Sequence, residues 1–143
     1  MFMETFPKGI EGMLRKYYKY TMKLNATHDT AGGKPHSHTF YIVLFIASKQ
    51  EDVFVEYAVI ENAIQEYLER FSNILLNDAE EFWNMSPTIE NMGILFFEKI
   101  AAMIDSEEYE LEKLEIGDNI LKKFIVAKHI NVRNCENIID IGE

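Results

Sequence analysis

Three histidines stand at spacings that could gather them around one metal ion. His36 and His38 flank Ser37, and residues two apart in a β-strand point the same way, so both imidazoles would face one side. His28 has the same parity in the preceding segment, at the end that a tight connection brings close to His36. Three neutral imidazoles suit Zn2+ and leave a fourth position open for water or substrate. The same residues also fit a plainer reading, as ordinary strand histidines beside a turn. On the residues alone both readings stand, and the H-x-H pattern identifies a metal better than a reaction.

The elements that must position these side chains follow from periodicity. Tyr18, Tyr20, Met22, Leu24, Ala26 and His28 alternate with Lys19, Thr21, Lys23, Asn25 and Thr27, the period of a strand. Asp29 to Pro35, with Gly32 and Gly33, reads as a turn. A second strand from His36 to about Ser48 is apolar on both faces, as expected of a strand inside a sheet. The period then becomes helical. Val59/Ile60, Ala63/Ile64, Tyr67/Leu68 and Phe71 make one amphipathic helix, and Ile89, Met92, Leu95/Phe96, Ile100 and Met103/Ile104 make a second. Ser86 is expected as the cap of that second helix, with Pro87 in its first position. Leu111 to Gly117 and Leu121 to Lys128 read as two more strands around the turn Gly117-Asp118-Asn119, and Ile138 to Ile141 as a further short one. The order β-β-α-α-β-β predicts an α+β fold, a four-stranded antiparallel sheet with two helices on one face, in a single domain over 1–143.

Composition bounds the function. The 143 residues carry a net charge of −10, which argues against nucleic acid as a partner. A small phosphorylated ligand is still compatible, since it needs only a local cation such as Lys34 or Lys23. Cys135 is the only cysteine, so neither an intrachain disulfide nor a multi-thiolate zinc site can form. The start of the chain does not read as a signal peptide, and Tyr41 to Ala47, the longest apolar run, is too short to span a bilayer. The expectation is a soluble cytoplasmic protein with no membrane partner, in which the sequons at Asn25 and Asn84 are chance matches. Gly32-Gly33-Lys34 lacks the spacing of a phosphate-binding P-loop, and Glu107-Glu108-Tyr109-Glu110 reads as a solvated acidic face.

From Tyr18 to Lys128 the sequence resembles the 6-pyruvoyl-tetrahydropterin synthase and 6-carboxytetrahydropterin synthase family, small zinc enzymes of the tunnelling fold. The resemblance rests on five segments in family order. They are Leu24-Asn25-Ala26-Thr27-His28, His36-Ser37-His38-Thr39-Phe40, Phe54-Val55-Glu56-Tyr57, Leu76-Asn77-Asp78 and the intact Pro87-Thr88-Ile89-Glu90-Asn91. It implies that His28, His36 and His38 hold Zn2+ and that the substrate is 7,8-dihydroneopterin triphosphate or a related reduced pterin. It also implies that Asp118 stands where the family has a ring-clamping Glu. Thr88 and Asn91 are candidate pocket residues, although a helix cap accounts for that segment first. A homo-oligomer, trimer or hexamer, is implied as well.

The departures are as informative. The family's catalytic Cys, four residues before the H-x-H pair, falls on Gly32, and its Asp-His relay falls on Phe71-Ser72-Asn73. Neither Ser nor Asn cycles a proton near pH 7 as His does. Asp29 and Glu56 are the nearest carboxylates that could replace the missing base, with a turn role for Asp29 and a helix-start role for Glu56 as the plainer alternatives. The expected function is therefore a zinc-dependent pterin synthase-like protein, with a catalytically degenerate zinc- and pterin-binding relative as the alternative. An unrelated metal-dependent hydrolase or lyase on the same scaffold ranks third.

Overall fold

A computed structural model describes residues 14, 16–49 and 57–128. Glu56, His129, Cys135 and the expected strand at Ile138 to Ile141 lie outside the described residues.

Strand β1 (Tyr17–His28) pairs antiparallel with β2 (His36–Ser48), and the register runs from Tyr17 opposite Ala47 to His28 opposite His36. Two helices follow, α1 (Tyr57–Glu69) and α2 (Ile89–Ile104), and the chain returns as β3 (Tyr109–Gly117) and β4 (Phe124–Ala127). The sheet order is β1-β2-β3-β4, so β2 lies inside it, as its two apolar faces require. This is the expected β-β-α-α-β-β arrangement, an antiparallel sheet with both helices on one face.

Alternation produces the core. Met22, Leu24 and Ala26 of β1, Phe40, Ile42 and Leu44 of β2, and Leu111, Leu114 and Ile116 of β3 are buried under Ile60, Ile64 and Leu68 of α1 and Met92, Phe96 and Ile100 of α2. At the register shift opposite Phe45 and Ile46, β3 carries one extra residue, Glu112, which lets Leu111 face the core despite its odd spacing from Leu114. Val59 and Met103 face solvent, at the edges of their helical stripes.

On the opposite face, the Thr27 and Ser37 hydroxyls lie 2.7 Å apart and the Thr39 hydroxyl donates to Asn25 Oδ1 at 2.6 Å. These cross-strand bonds help fix the β1–β2 register. A slip of one residue between the strands would put His28 on the opposite face of the sheet from His36 and His38.

Three boundaries differ from the sequence expectation. Thr88, not Ser86, caps α2: its hydroxyl accepts the Asn91 N–H at 3.1 Å, and the helix begins at Ile89. Ser86 and Pro87 belong to the approach, where the Ser86 carbonyl accepts from the Asn91 amide at 2.8 Å. Strand β4 begins at Phe124 rather than Leu121, because Asn119 Oδ1 accepts the N–H groups of Leu121 and Lys122 and holds them in a turn. Strand β3 starts earlier than expected, at Tyr109, and there Glu110 pairs with Lys49 and Lys128 rather than standing in a purely solvated run. Among the described residues, no helix is long and apolar enough to cross a membrane.

Candidate functional site

The ends of β1 and β2 bring the three histidines to the border of one cavity of about 640 Å³. The centroids of the His28 and His38 rings are 5.1 Å apart and those of His36 and His38 are 6.1 Å apart. Phe40 backs the group, with its ring 5.2 Å from that of His28 and 5.6 Å from that of His38.

His28 is 7 % exposed, the one buried polar side chain among the described residues. Its Nδ1 lies 2.7 Å from the Pro87 carbonyl oxygen. A carbonyl only accepts, so Nδ1 carries the proton, and the neutral ring presents the Nε2 lone pair elsewhere. This is the arrangement that orients a metal-binding imidazole. Pro87 suits the task because the bond uses only its carbonyl, and its missing N–H costs nothing there.

The residue after His28 is held as firmly. Asp29 donates its N–H to Asn77 Oδ1, and its carbonyl accepts from Asn77 Nδ2, both at 2.9 Å. Its carboxylate accepts the N–H groups of Ala31 and Gly33 at 3.1 and 2.7 Å. The Gly33 bond, set against slight desolvation, leads a set of backbone contacts that hold the carboxyl below its ordinary 3.8. Asp29 is thus the lock of the turn between the two histidine-bearing strands. The same bonds that lock the turn make the carboxylate a weaker proton acceptor.

The other expected residues separate. Thr88 and Asp118 border the cavity, and Asp118 Oδ2 stands 3.8 Å from His38 Nδ1, beyond hydrogen-bond reach. Asn91 is not among the lining residues and serves the helix cap instead. Ser72 borders a different cavity beside Thr21 and Glu69, and Phe71 is fully buried in the core. Asn73, with φ +59°, donates its N–H to the Asn25 carbonyl at 2.6 Å, while Thr27 donates to Ile74. Where the family has its proton relay, this chain braces the edge of β1. Gly32 has φ +70°, a backbone state in which a side chain is strained, so the loop is shaped for glycine at the cysteine position.

Sequence reading missed several lining residues. Ile116 and Phe124 form an apolar wall, and Glu90, Lys122 and Lys123 add charges. Glu90 was in view within its motif. The lysines sit in a turn, where no periodicity marks which way a side chain faces.

Among the described residues, no three His, Cys, Asp or Glu side chains are gathered as placed into a group that could hold a metal ion. The donor set nevertheless fits zinc. Three imidazoles at a Zn–N distance of about 2.0–2.1 Å have centroids roughly 5 Å apart, which the His28–His38 pair already meets. His36 stands farther out and is solvent-exposed, so its rotamer can change at little cost.

Comparison with known proteins agrees with this architecture. The family profile described as 6-pyruvoyl tetrahydropterin synthase matches residues 14–127. The chain is similar to the 6-pyruvoyl tetrahydropterin synthase of Caenorhabditis elegans, with a TM-score of 0.70 at 17% identity over 81% of this chain and 97% of that one. It is also similar to the enzymes of Plasmodium vivax (0.59, 11% identity) and Plasmodium falciparum (0.56, 12% identity), in each case over 80% of this chain and 99% of the other. No curated protein matches the sequence significantly.

Proposed function

Because the chain belongs to the 6-pyruvoyl tetrahydropterin synthase family, we propose that it is a zinc-dependent protein acting on 7,8-dihydroneopterin triphosphate or a related reduced pterin. The observation that carries this reading is the convergence of His28, His36 and His38 on one cavity, with the tautomer of His28 set by Pro87.

In this reading the three histidines hold the metal through neutral ring nitrogens. Zinc bound there would supply Lewis acidity, lowering the pKa of oxygen groups on the pterin side chain. Asp118 presents a carboxylate to ring N–H donors, and Thr88 presents a short polar edge beside it. Asn91 acts indirectly, by fixing Thr88 at the helix start. Ile116 and Phe124 offer the flat apolar surface on which a bicyclic ring can rest. Asp29 and Glu56 remain the proposed proton acceptors, and Asp29 would have to release its backbone N–H partners to act.

Incubation of the zinc-loaded protein with 7,8-dihydroneopterin triphosphate, followed by chromatography of pterin products, tests the proposal. Turnover that disappears in His36→Ala is expected. Failure to bind or convert any reduced pterin would overturn it. A second reading, a relative that binds zinc and pterin without turnover, is favoured by the glycine-shaped loop at Gly32 and the structural use of Asn73. Tight pterin binding with no product would select it.

Assembly belongs to the same proposal. Tyr41 and Phe45 on the outer sheet face are only partly buried and Ile125 on the same sheet is half-exposed, a surface suited to burial in a homotrimer or hexamer. A single 16.7 kDa species in solution would contradict that assembly.

A further inference from the structure

Among the described residues, the turn between β3 and β4 carries the cavity's only lysines. Lys122 and Lys123 both border the space that the three histidines share. Several of the other lysines among the described residues are already engaged. Lys49 pairs with Glu110, Lys128 with Asp105 and Glu110, and Lys113 with Glu115 and the Phe45 ring, while Lys23 lies over the Tyr41 ring. Among the described residues, neither Lys122 nor Lys123 has an ion-pair partner.

Their placement is built into the chain. Asn119 Oδ1 accepts from the backbone N–H of Leu121 at 2.8 Å and of Lys122 at 3.1 Å, which curls the turn back over the sheet. Gly117 lets it close. A Cβ at that position would lie 2.5 Å from the Lys122 carbonyl oxygen and 2.9 Å from Lys123 Cδ, closer than real contacts allow. Gly117 and Asn119 together therefore set two adjacent cations at the cavity wall. Leu121 beside them is 92 % exposed, so apolar burial is not what places the turn.

We propose that Lys122 and Lys123 form the subsite for a polyphosphate tail on the ligand whose ring occupies the histidine cavity. This rests on the functional reading above and assigns its specificity to residues in a turn. Two ammonium groups on successive residues offer up to six donors, more than a lone carboxylate can use and well matched to a chain of phosphate oxygens. The cavity's carboxylates do not cancel them. Asp118 stands toward His38, and Glu90 lies in the first turn of α2, where the helix dipole accommodates a negative charge. In a chain with net charge −10, such a local cation pair also offsets the general repulsion of an anionic ligand.

Equilibrium binding on the zinc-loaded full chain tests this with three probes: inorganic tripolyphosphate, 7,8-dihydroneopterin and 7,8-dihydroneopterin triphosphate. The wild type is expected to bind the phosphorylated pterin more tightly than the unphosphorylated one, with a steep salt dependence. The double variant Lys122→Gln/Lys123→Gln should lose about tenfold per lysine toward the phosphorylated probes and nothing toward 7,8-dihydroneopterin. Lys34→Gln, an exposed lysine outside the cavity, is the control and should change nothing. Equal binding of the two pterins, or no effect of the double variant, overturns the subsite and leaves the pterin reading standing. Lysine-dependent tripolyphosphate binding without binding of either pterin supports the subsite and overturns the pterin reading. Absence of all binding overturns both.

Discussion

The hairpin end that carries the histidines and the turn that carries the lysines border the same cavity, yet they are held in different ways. His28, His36 and His38 stand at the end of two long paired strands. There Pro87 orients His28, Asn77 clamps Asp29, and cross-strand bonds on the far face help fix the register. The β3–β4 turn lacks that redundancy: one asparagine side chain and one glycine shape it, and its Ile120 and Leu121 side chains are 82 % and 92 % exposed. The contrast separates a rigid part suited to an ion of fixed geometry from a more adaptable part suited to a flexible anionic tail. Ion coordination tolerates only tenths of an ångström of error, whereas a point charge meeting phosphate tolerates more.

Substitutions on the hairpin side should therefore cost the most. Phe40→Ala removes a fully buried ring beneath His28 and His38, and should destabilise the fold by about 3–5 kcal/mol. Denaturant unfolding measures it, and a loss under 1 kcal/mol would mean that the histidines lack the packed floor described above. Asn77→Ala should cost about 1–3 kcal/mol by leaving both Asp29 backbone groups without their partner. It should also weaken zinc binding roughly 10–100-fold through the slackened His28. Unchanged zinc affinity would show that the strand pair alone positions the ligands.

Smaller effects sharpen the same contrast. Gly32→Cys restores the family's usual residue in a loop with φ +70°, and should lower stability by about 1–2 kcal/mol without creating turnover. A gain in product formation would show that the loop adapts to the side chain. Changing pH gives the mildest perturbation. The Asp29 carboxyl titrates below its ordinary 3.8, so its support of the turn is complete above that value and fades as pH falls through the lower folded-state value. Tyr67 moves the other way. Burial, with help from Glu81, raises it from 10.0 to about 12, so its contribution is present below pH 10 and is lost as pH climbs toward 12. Thermal melting across pH should show both flanks, and amide exchange should localise the acid one to residues 29–35.

Much of this was legible in the sequence because strands advertise themselves by parity. Parity placed His28, His36 and His38 on one face, and β1 and β2 have nearly the expected limits. Where several residues could play one role, the sequence could not choose. Ser86 and Thr88 are both competent caps, and the bond from Asn91 N–H decides for Thr88. Leu121 looks like a strand residue, but the Asn119 side chain captures its N–H and turns it outward. Lys23 and Lys34 were the cations within view for a phosphorylated ligand, yet neither borders the histidine cavity. Lys122 and Lys123 do, brought there by a backbone approach that only Gly117 permits.

The most direct test of the account is zinc stoichiometry, measured by dialysis and metal analysis on the wild type and on His36→Ala. The account predicts one zinc per chain in the wild type and an affinity lower by at least about 100-fold in the variant. A wild type that binds no zinc, or a variant that binds it equally well, would contradict the assignment of His28, His36 and His38 as one metal site.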